Sequence, residues 1–250
     1  MSHQPRGTLV VFGSGPLIGS HIASLFASRG FQQVILLARN AQHLEKEAEF
    51  VKSAASSSST QVHTMTIDLL DTAGIKKTLT ELDEHFSKMP LECVLYNAAN
   101  VRESPMFSFP AEEMEKDWKI AVQSLYIVAG WAMPHLTQLA SSAPGSSGKT
   151  TKTSSSSVPK PSFLVTCGSI CKDPLPALFS LSSVKACQYS LVRSIDKVYR
   201  DKGVHCGLIL VAGVVSHEAM SCNPKNIADK AWGLFEQEKG DWQIEVEIPE

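Results

Sequence analysis

The stretch FGSGPLIGSHI, Phe12–Ile22, spaces three glycines between an apolar run and a helical pattern. That spacing suits phosphate binding. Gly13 permits a tight turn, and Gly15 and Gly19 let a ligand approach the backbone closely. The helix that follows offers unpaired N–H groups and positive dipole density to an anion. Ser14, Leu17 and Ile18 complete the turn. A chance glycine-rich turn has the same composition, and the flanking strand and helix favour the phosphate reading. The next apolar run, VILLARN, ends at Ala38-Arg39-Asn40 with no carboxylate to meet a ribose 2′-hydroxyl. Arg39 is a forked cation suited to a 2′-phosphate, so the pattern favours NADP(H); the other reading is a surface arginine in a loop.

Short apolar runs alternate with amphipathic stretches, and they predict the frame for these residues. Strands are expected at Thr8–Phe12, Val34–Ala38, Val62–Ile67, Cys93–Asn97, Ser162–Thr166, Val204–Val211 and Gln243–Ile248. Helices are expected at Leu17–Arg29, Gln42–Lys52, Ala73–Met89, Glu112–Leu139 with a break near Pro134, Leu181–Arg200 and Ile227–Glu238. Gly30 closes the first helix as a left-handed cap. Strands apolar on both faces and separated by helices imply an α/β fold. It is a Rossmann-like, doubly wound parallel sheet of about seven strands with helices on both faces, and its ligand crevice lies at the strands' carboxyl ends. Residues 1–250 read as a single domain. Two segments break the pattern: serine-rich Ser53–Thr60, and Ser141–Pro161, which is read as a flexible Ser-rich insertion with a domain boundary as the alternative.

The chain has 250 residues, is 43% hydrophobic and 19% charged, and carries a formal net charge of −2. No basic field argues for nucleic acid or an anionic membrane, and no apolar run is long enough to span a bilayer. The N-terminus runs straight into a buried-type strand, which leaves no room for a signal peptide. Six cysteines, Cys93, Cys167, Cys171, Cys187, Cys206 and Cys222, form no CxxC pair, so no metal site is expected. They read as reduced thiols in a cytoplasmic protein.

Several segments occur in the order found in the short-chain dehydrogenase/reductase superfamily, and the chain resembles a divergent member. GSGPLIG is similar to its glycine turn, with Leu17 in place of the middle glycine. IDLLD, with Asp68 and Leu69, resembles the segment that brackets the adenine. Asn97-Ala98-Ala99 resembles its NNAG motif. VAGVVS resembles its PGxVxT segment, where Val215 would contact the nicotinamide amide. IEVEI matches its closing strand.

The resemblance implies a tetrad in which a tyrosine donates a proton, a lysine bonds the nicotinamide ribose, a serine orients the carbonyl and an asparagine supports a water relay. Here Ser169 and Lys185 fall at the serine and lysine positions, and Gln123 at the asparagine position. The tyrosine position holds Leu181, or Ser182 in a shifted register. Asp173, on the loop expected over the nicotinamide pocket, is a candidate acid or partner for a cationic substrate; an exposed turn aspartate is the alternative. Tyr189 lies one turn beyond Lys185 and reads as packing, and His217 as an exposed loop histidine. Trp118, Trp131 and Tyr126 read as core and dimer packing. The family's long helix and lysine helix often pair between subunits, so a homodimer or homotetramer is expected.

Reduction of a ketone needs a prompt proton, whereas reduction of an iminium carbon does not. The expectation is therefore an NADPH-dependent reductase of an imine or iminium, an enone or another secondary-metabolite intermediate. The short segment from Ser216 to Ile227 predicts little lid, which suits a bulky substrate. The alternatives are a redox-neutral cyclase or isomerase with NADP(H) bound, and a non-catalytic binding protein.

Overall fold

The computed structural model describes residues 5–55, 57, 59–142 and 158–250. Most of the serine-rich insertion expected at 141–161, together with Ser56 and Ser58, lies outside the described residues. Seven parallel strands form one sheet: β1 (Arg6–Phe12), β2 (Phe31–Ala38), β3 (Gln61–Thr66), β4 (Leu91–Tyr96), β5 (Ser162–Gly168), β6 (His205–Val211) and β7 (Glu245–Ile248). Their order is β3-β2-β1-β4-β5-β6-β7, the Rossmann-like doubly wound arrangement.

Side chains alternate across each central strand, yet both faces are apolar. Leu9 and Val11 of β1 and Cys93 and Leu95 of β4 enter one core, while Val10, Phe12, Val94 and Tyr96 enter the other. Helices α1 (Gly19–Ser28) and α2 (Ala41–Ala54) cover the first face, and α3 (Thr72–Asp83) the second. The long region after β4 divides into α4 (Ala111–Trp118), a π-helical turn (Lys119–Gln123) and α5 (Ser124–Ser142), which also packs on the second face. Helix α6 (Phe179–Tyr199) lies beside α5, and α7 (Pro224–Phe235) beside α1.

Element types follow the sequence pattern, and the differences lie at ends and irregularities. Gly30 has φ 108° where α1 stops. The helix after β3 ends at Asp83 and passes into a 3₁₀ turn, Glu84–Phe86, rather than running to Met89. Helix α2 continues through Ser53 to Ala54, so the serine-rich segment begins later than its composition suggests. The break expected near Pro134 is absent, because Pro134 stands inside continuous helix. The irregularity falls instead at Lys119–Gln123.

A buried carboxylate ties the far ends of the strands together. Glu92 accepts from the backbone N–H of Gly7 at 2.6 Å, from that of Lys160 at 2.9 Å and from the Arg6 guanidinium at 3.2 Å. Arg6 also pairs with Glu236 at 2.5 Å and lies over the Phe235 ring. Glu92→Ala leaves the Gly7 and Lys160 N–H groups without their acceptor and the nearly buried Arg6 with Glu236 as its remaining carboxylate. It is expected to destabilise the protein by about 3–5 kcal/mol in urea unfolding, with Glu92→Gln costing less because one oxygen remains. A loss below about 1 kcal/mol for the alanine variant would show that these ties contribute little.

Candidate functional site

The chain leaves the sheet in opposite directions after β1 and after β4, and a crevice opens between their carboxyl ends. Gly13 turns the chain out of β1 with φ 82°, and a Cβ there would stand 2.6 Å from the Ala98 nitrogen. The N–H groups of Gly13 and Ser14 both donate to the Leu37 carbonyl at 2.9 Å. Asn97 donates through Nδ2 to the Gly13 carbonyl at 2.8 Å and accepts from Thr166 Oγ1 at 2.7 Å. The turn is therefore built before any ligand arrives.

The crevice has a volume of about 290 Å³. Gly13, Ser14, Gly15, Ala38 and Arg39 line one side; Ile67, Leu69, Asn97, Ala98, Ala99, Asn100 and Ile120 line the rest. No side chain caps the N-terminus of α1 and no acid stands in its first turn, so the donors there face no competing carboxylate. A Cβ on Gly15 would meet nothing within 4 Å, so this glycine leaves room over the turn. Arg39 is exposed and has no ion-pair partner among the described residues. This lining fits the pyrophosphate and 2′-phosphate of a dinucleotide.

The other residues expected at this end lie around the crevice rather than along it. Gly19 is buried against the turn, with its Cβ direction 3.0 Å from the Ser14 Cα. Leu17 is half-buried, and Ile18 and Val215 pack partly against the α1–α2–α7 core. Asn40 caps α2, accepting from the His43 N–H at 3.0 Å. Asp68 is exposed, and its carboxylate accepts from the Leu70 N–H at 2.9 Å.

At the other end, Lys185 on α6 is buried. Its Nζ donates to the Thr166 carbonyl and to Gln188 Oε1, each at 2.9 Å. Gln188 Nε2 in turn donates to the Ala121 carbonyl at 2.8 Å. Ala121 lies in the π-helical turn, whose altered hydrogen-bond pattern turns carbonyls towards side chains. Tyr96 takes the neighbouring Ile120 carbonyl. The link from the long helix to Lys185 thus runs through Ala121 and Gln188, while half-buried Gln123 stands outside it. Burial lowers the Lys185 pKa, and the nearby Cys167 and Cys171 raise it.

Leu181, one turn before Lys185, is buried in a small apolar cluster with Ala121 and Val184. Ser182 binds the Leu175 N–H at 3.1 Å. Ser169 begins the 3₁₀ turn after β5 and is half-buried. Asp173 is exposed on the following loop and does not line the crevice. Tyr189 sits among Lys172, Arg193 and Glu245, away from the crevice lining. His217 is exposed and meets the His21 ring at 5.5 Å between centroids. Of the aromatic residues on the long helices, Trp131 packs on Phe12 and donates to Asp83, while Trp118 and Tyr126 are exposed. No group of three or more His, Cys, Asp or Glu side chains that could hold a metal ion occurs among the described residues. No helix of the described residues is long and apolar enough to cross a membrane.

A Rossmann-like α/β sheet with a glycine-lined crevice at its switch point defines the class of protein. The short chain dehydrogenase family matches residues 8–226, and the chain belongs to that family. Among solved structures, a short-chain dehydrogenase from Rhodopseudomonas palustris is 18% identical with a TM-score of 0.77, covering 97% of this chain and 98% of that one. An alcohol dehydrogenase from Thermococcus sibiricus, complexed with 5-hydroxy-NADP, is 17% identical with a TM-score of 0.77 and coverages of 97% and 96%. A metagenomic short-chain oxidoreductase in complex with NADP is 17% identical with a TM-score of 0.78 and coverages of 100% and 100%. At these identities the likeness is one of fold. No curated protein matches the sequence.

Glu47 escaped the sequence reading, although its position was informative. It lies on α2 among Leu44, Ala48 and Val51, on the apolar face of the helix, and is buried. Its carboxylate accepts from the Ser14 hydroxyl beneath the glycine turn. Burial raises its pKa above the usual 4.5, against the opposing effects of the Ser14 bond and of His43. The folded chain thus holds this proton more tightly than the unfolded chain. The associated stability is fully present below pH 4.5 and is lost as pH rises from there through the higher folded value. Glu47→Gln keeps an acceptor for Ser14 and cannot ionise. Its melting temperature is expected to gain on the wild type's as pH is raised from about 4 to about 8 without nucleotide. Parallel profiles would rule out a perturbed carboxyl at this position.

Proposed function

We propose that this protein is an NADPH-dependent reductase whose substrate takes no proton from the position one turn before Lys185. The observation that carries this reading is Leu181, an apolar side chain packed where the family resemblance calls for a tyrosine, four residues before a retained and buried lysine. Gly13, Gly15 and the uncapped end of α1 would hold the pyrophosphate, and Arg39 the 2′-phosphate. When bound, the dinucleotide supplies hydride. Neighbours solved with NADP and 5-hydroxy-NADP support that choice of cofactor. Two of the three N–H groups of Lys185 serve Thr166 and Gln188, which leaves one to reach a ribose hydroxyl. Ser169 would orient the polar atom of the substrate, and Asp173 would meet a cationic substrate at the rim.

An iminium carbon that accepts hydride becomes a neutral amine carbon, and the electron pair released from the C=N bond settles on nitrogen. No acid is required. An enone can take its proton from water. Exposed apolar side chains on the loops after β4, β5 and β6, including Val101, Met106, Phe107, Leu175, Val214 and Met220, support a bulky apolar substrate of the secondary-metabolite kind. Phe107 is fully exposed with φ 65°, an unfavourable conformation for such a residue. The free cysteines support a cytoplasmic location. A homodimer would cover the exposed Trp118, Tyr126 and Val198.

The test has two parts. Calorimetric titration is expected to show Arg39→Ala losing roughly tenfold to a hundredfold in NADPH affinity, while NADH binding stays unchanged. Equal loss for both nucleotides would remove the 2′-phosphate role. NADPH deuterated at the transferred position should deliver its label to the product of an iminium or enone panel, read by mass spectrometry. Turnover without label transfer would favour the redox-neutral cyclase or isomerase, and absence of nucleotide binding the non-catalytic protein.

A further inference from the structure

Asn100 lines the crevice where the chain leaves β4. Its side chain is half-buried, and its Nδ2 donates to Asp117 Oδ1 at 2.8 Å. Asp117 stands in the last turn of α4 and is 2% exposed. Its carboxylate takes two further donors: Arg102 Nη2 at 2.8 Å on the same oxygen, and Ser180 Oγ at 2.6 Å on the other. Arg102 is held in turn by Glu113 at 2.8 Å, and the Ser180 N–H donates to Ser104 Oγ at 2.9 Å. Three segments therefore meet on one buried carboxylate: the crevice wall after β4, helix α4, and the first turn of α6, the helix that carries Lys185.

The carboxylate decides which way the Asn100 amide faces. An ionised carboxylate only accepts hydrogen bonds, so the half of the amide turned to it is the NH₂. The oxygen is thereby assigned to the other side. Asn100 Oδ1 meets no donor among the described residues and is not a buried atom, so it stays open. A buried carboxylate is costly unless donors replace its water, and here an arginine charge and two hydrogen bonds do so.

We propose that Asn100 is a further nucleotide-binding residue, whose amide oxygen accepts a ribose hydroxyl of the dinucleotide, and that Asp117 is the positioning residue that keeps this oxygen free for the ligand. The inference rests on the nucleotide reading of the crevice. The segment that carries Asn100 passes directly against the glycine turn, since a Cβ on Gly13 would stand 2.6 Å from the Ala98 nitrogen. Asn100 follows two positions later, a reach of at most about 7 Å. A phosphate on the turn presents acceptors, whereas the sugar attached to it presents hydroxyl donors. An open acceptor beyond the turn therefore matches the sugar and not the phosphate. Asp117 does not line the crevice and acts through the Asn100 amide.

Calorimetric titration of the full-length protein with NADPH and with NADH tests the proposal. Asn100→Ala is expected to weaken both about threefold to tenfold, because both carry the sugar. Asp117→Asn is expected to cost about as much, and the double variant Asn100→Ala/Asp117→Asn no more than Asn100→Ala alone. Losses that multiply in the double variant would show an effect on the fold rather than on the amide, and would overturn the positioning role. Ser180→Ala loosens the same carboxylate without changing its charge, and serves if Asp117→Asn does not fold. Its loss of about twofold should vanish in the Asn100→Ala background, and a loss that persists there overturns the role equally. Asn100→Ala binding both nucleotides as tightly as the wild type, or losing affinity for NADPH alone, would overturn the sugar contact and leave the nucleotide reading standing. A wild type that binds neither nucleotide would overturn that reading and the inference with it.

Discussion

Asn97 joins three strands at their carboxyl ends, and the site depends on that junction. Its backbone N–H donates to the Phe12 carbonyl at 2.8 Å, its side-chain amide holds the Gly13 carbonyl, and its side-chain oxygen takes the Thr166 hydroxyl. The three bonds run across β1, β4 and β5, where the chain has reversed its direction of travel along the sheet. A switch point leaves backbone groups without a neighbouring strand to satisfy them. A side chain with both a donor and an acceptor is the smallest device that closes the gap. The glycine turn can then stay open on its other side, because it does not need a ligand to hold its shape. Thr166 extends the same line further, since its carbonyl receives the Lys185 ammonium. One row of hydrogen bonds thereby connects the glycine turn to Lys185.

The fold was legible because its central strands carry an unambiguous signal. A run such as Leu9–Phe12 is apolar at every position, and only a sheet covered on both faces buries such a run. The exposed edge strand β3 was legible from its β-branched and alternating residues instead. Irregular backbone was less readable. Pro134 is the strongest local helix breaker in the long helical region and does not break it, while KIAVQ, with nothing unusual in its composition, forms the π-helical turn. A proline's cost depends on what stands one turn back, and a π-helical turn depends on tertiary partners that take the released carbonyls. Here Tyr96 and Gln188 do so, from elements far away in the chain.

The candidate site divides along the same line. The glycine turn and Arg39 could be read from local spacing, because backbone freedom and fixed charge are local properties. The surroundings of Lys185 could not. Gln188 stands three residues after it on one helix, a spacing compatible with many roles, and only the packed structure brings its amide between Lys185 and Ala121. Asp173 shows the converse. A carboxylate near the expected pocket carries chemistry only if it is desolvated, and the backbone of the 3₁₀ turn leaves this one exposed.

The buried ammonium of Lys185 frames the chemistry that remains. A charge withdrawn from water is costly unless polar groups replace its hydration, and no carboxylate among the described residues pairs with this one. A carbonyl and an amide oxygen supply dipoles. Cys167 and Cys171 both favour the protonated lysine, while burial opposes it. Sulfur and nitrogen are thus coupled: a thiolate at Cys167 stabilises the ammonium, and the ammonium in turn lowers the thiol's pKa. Leu181, one turn before the lysine, packs with Ala121 and Val184, so the groups that set the charge balance around Lys185 are the two thiols and the dipoles of Thr166 and Gln188.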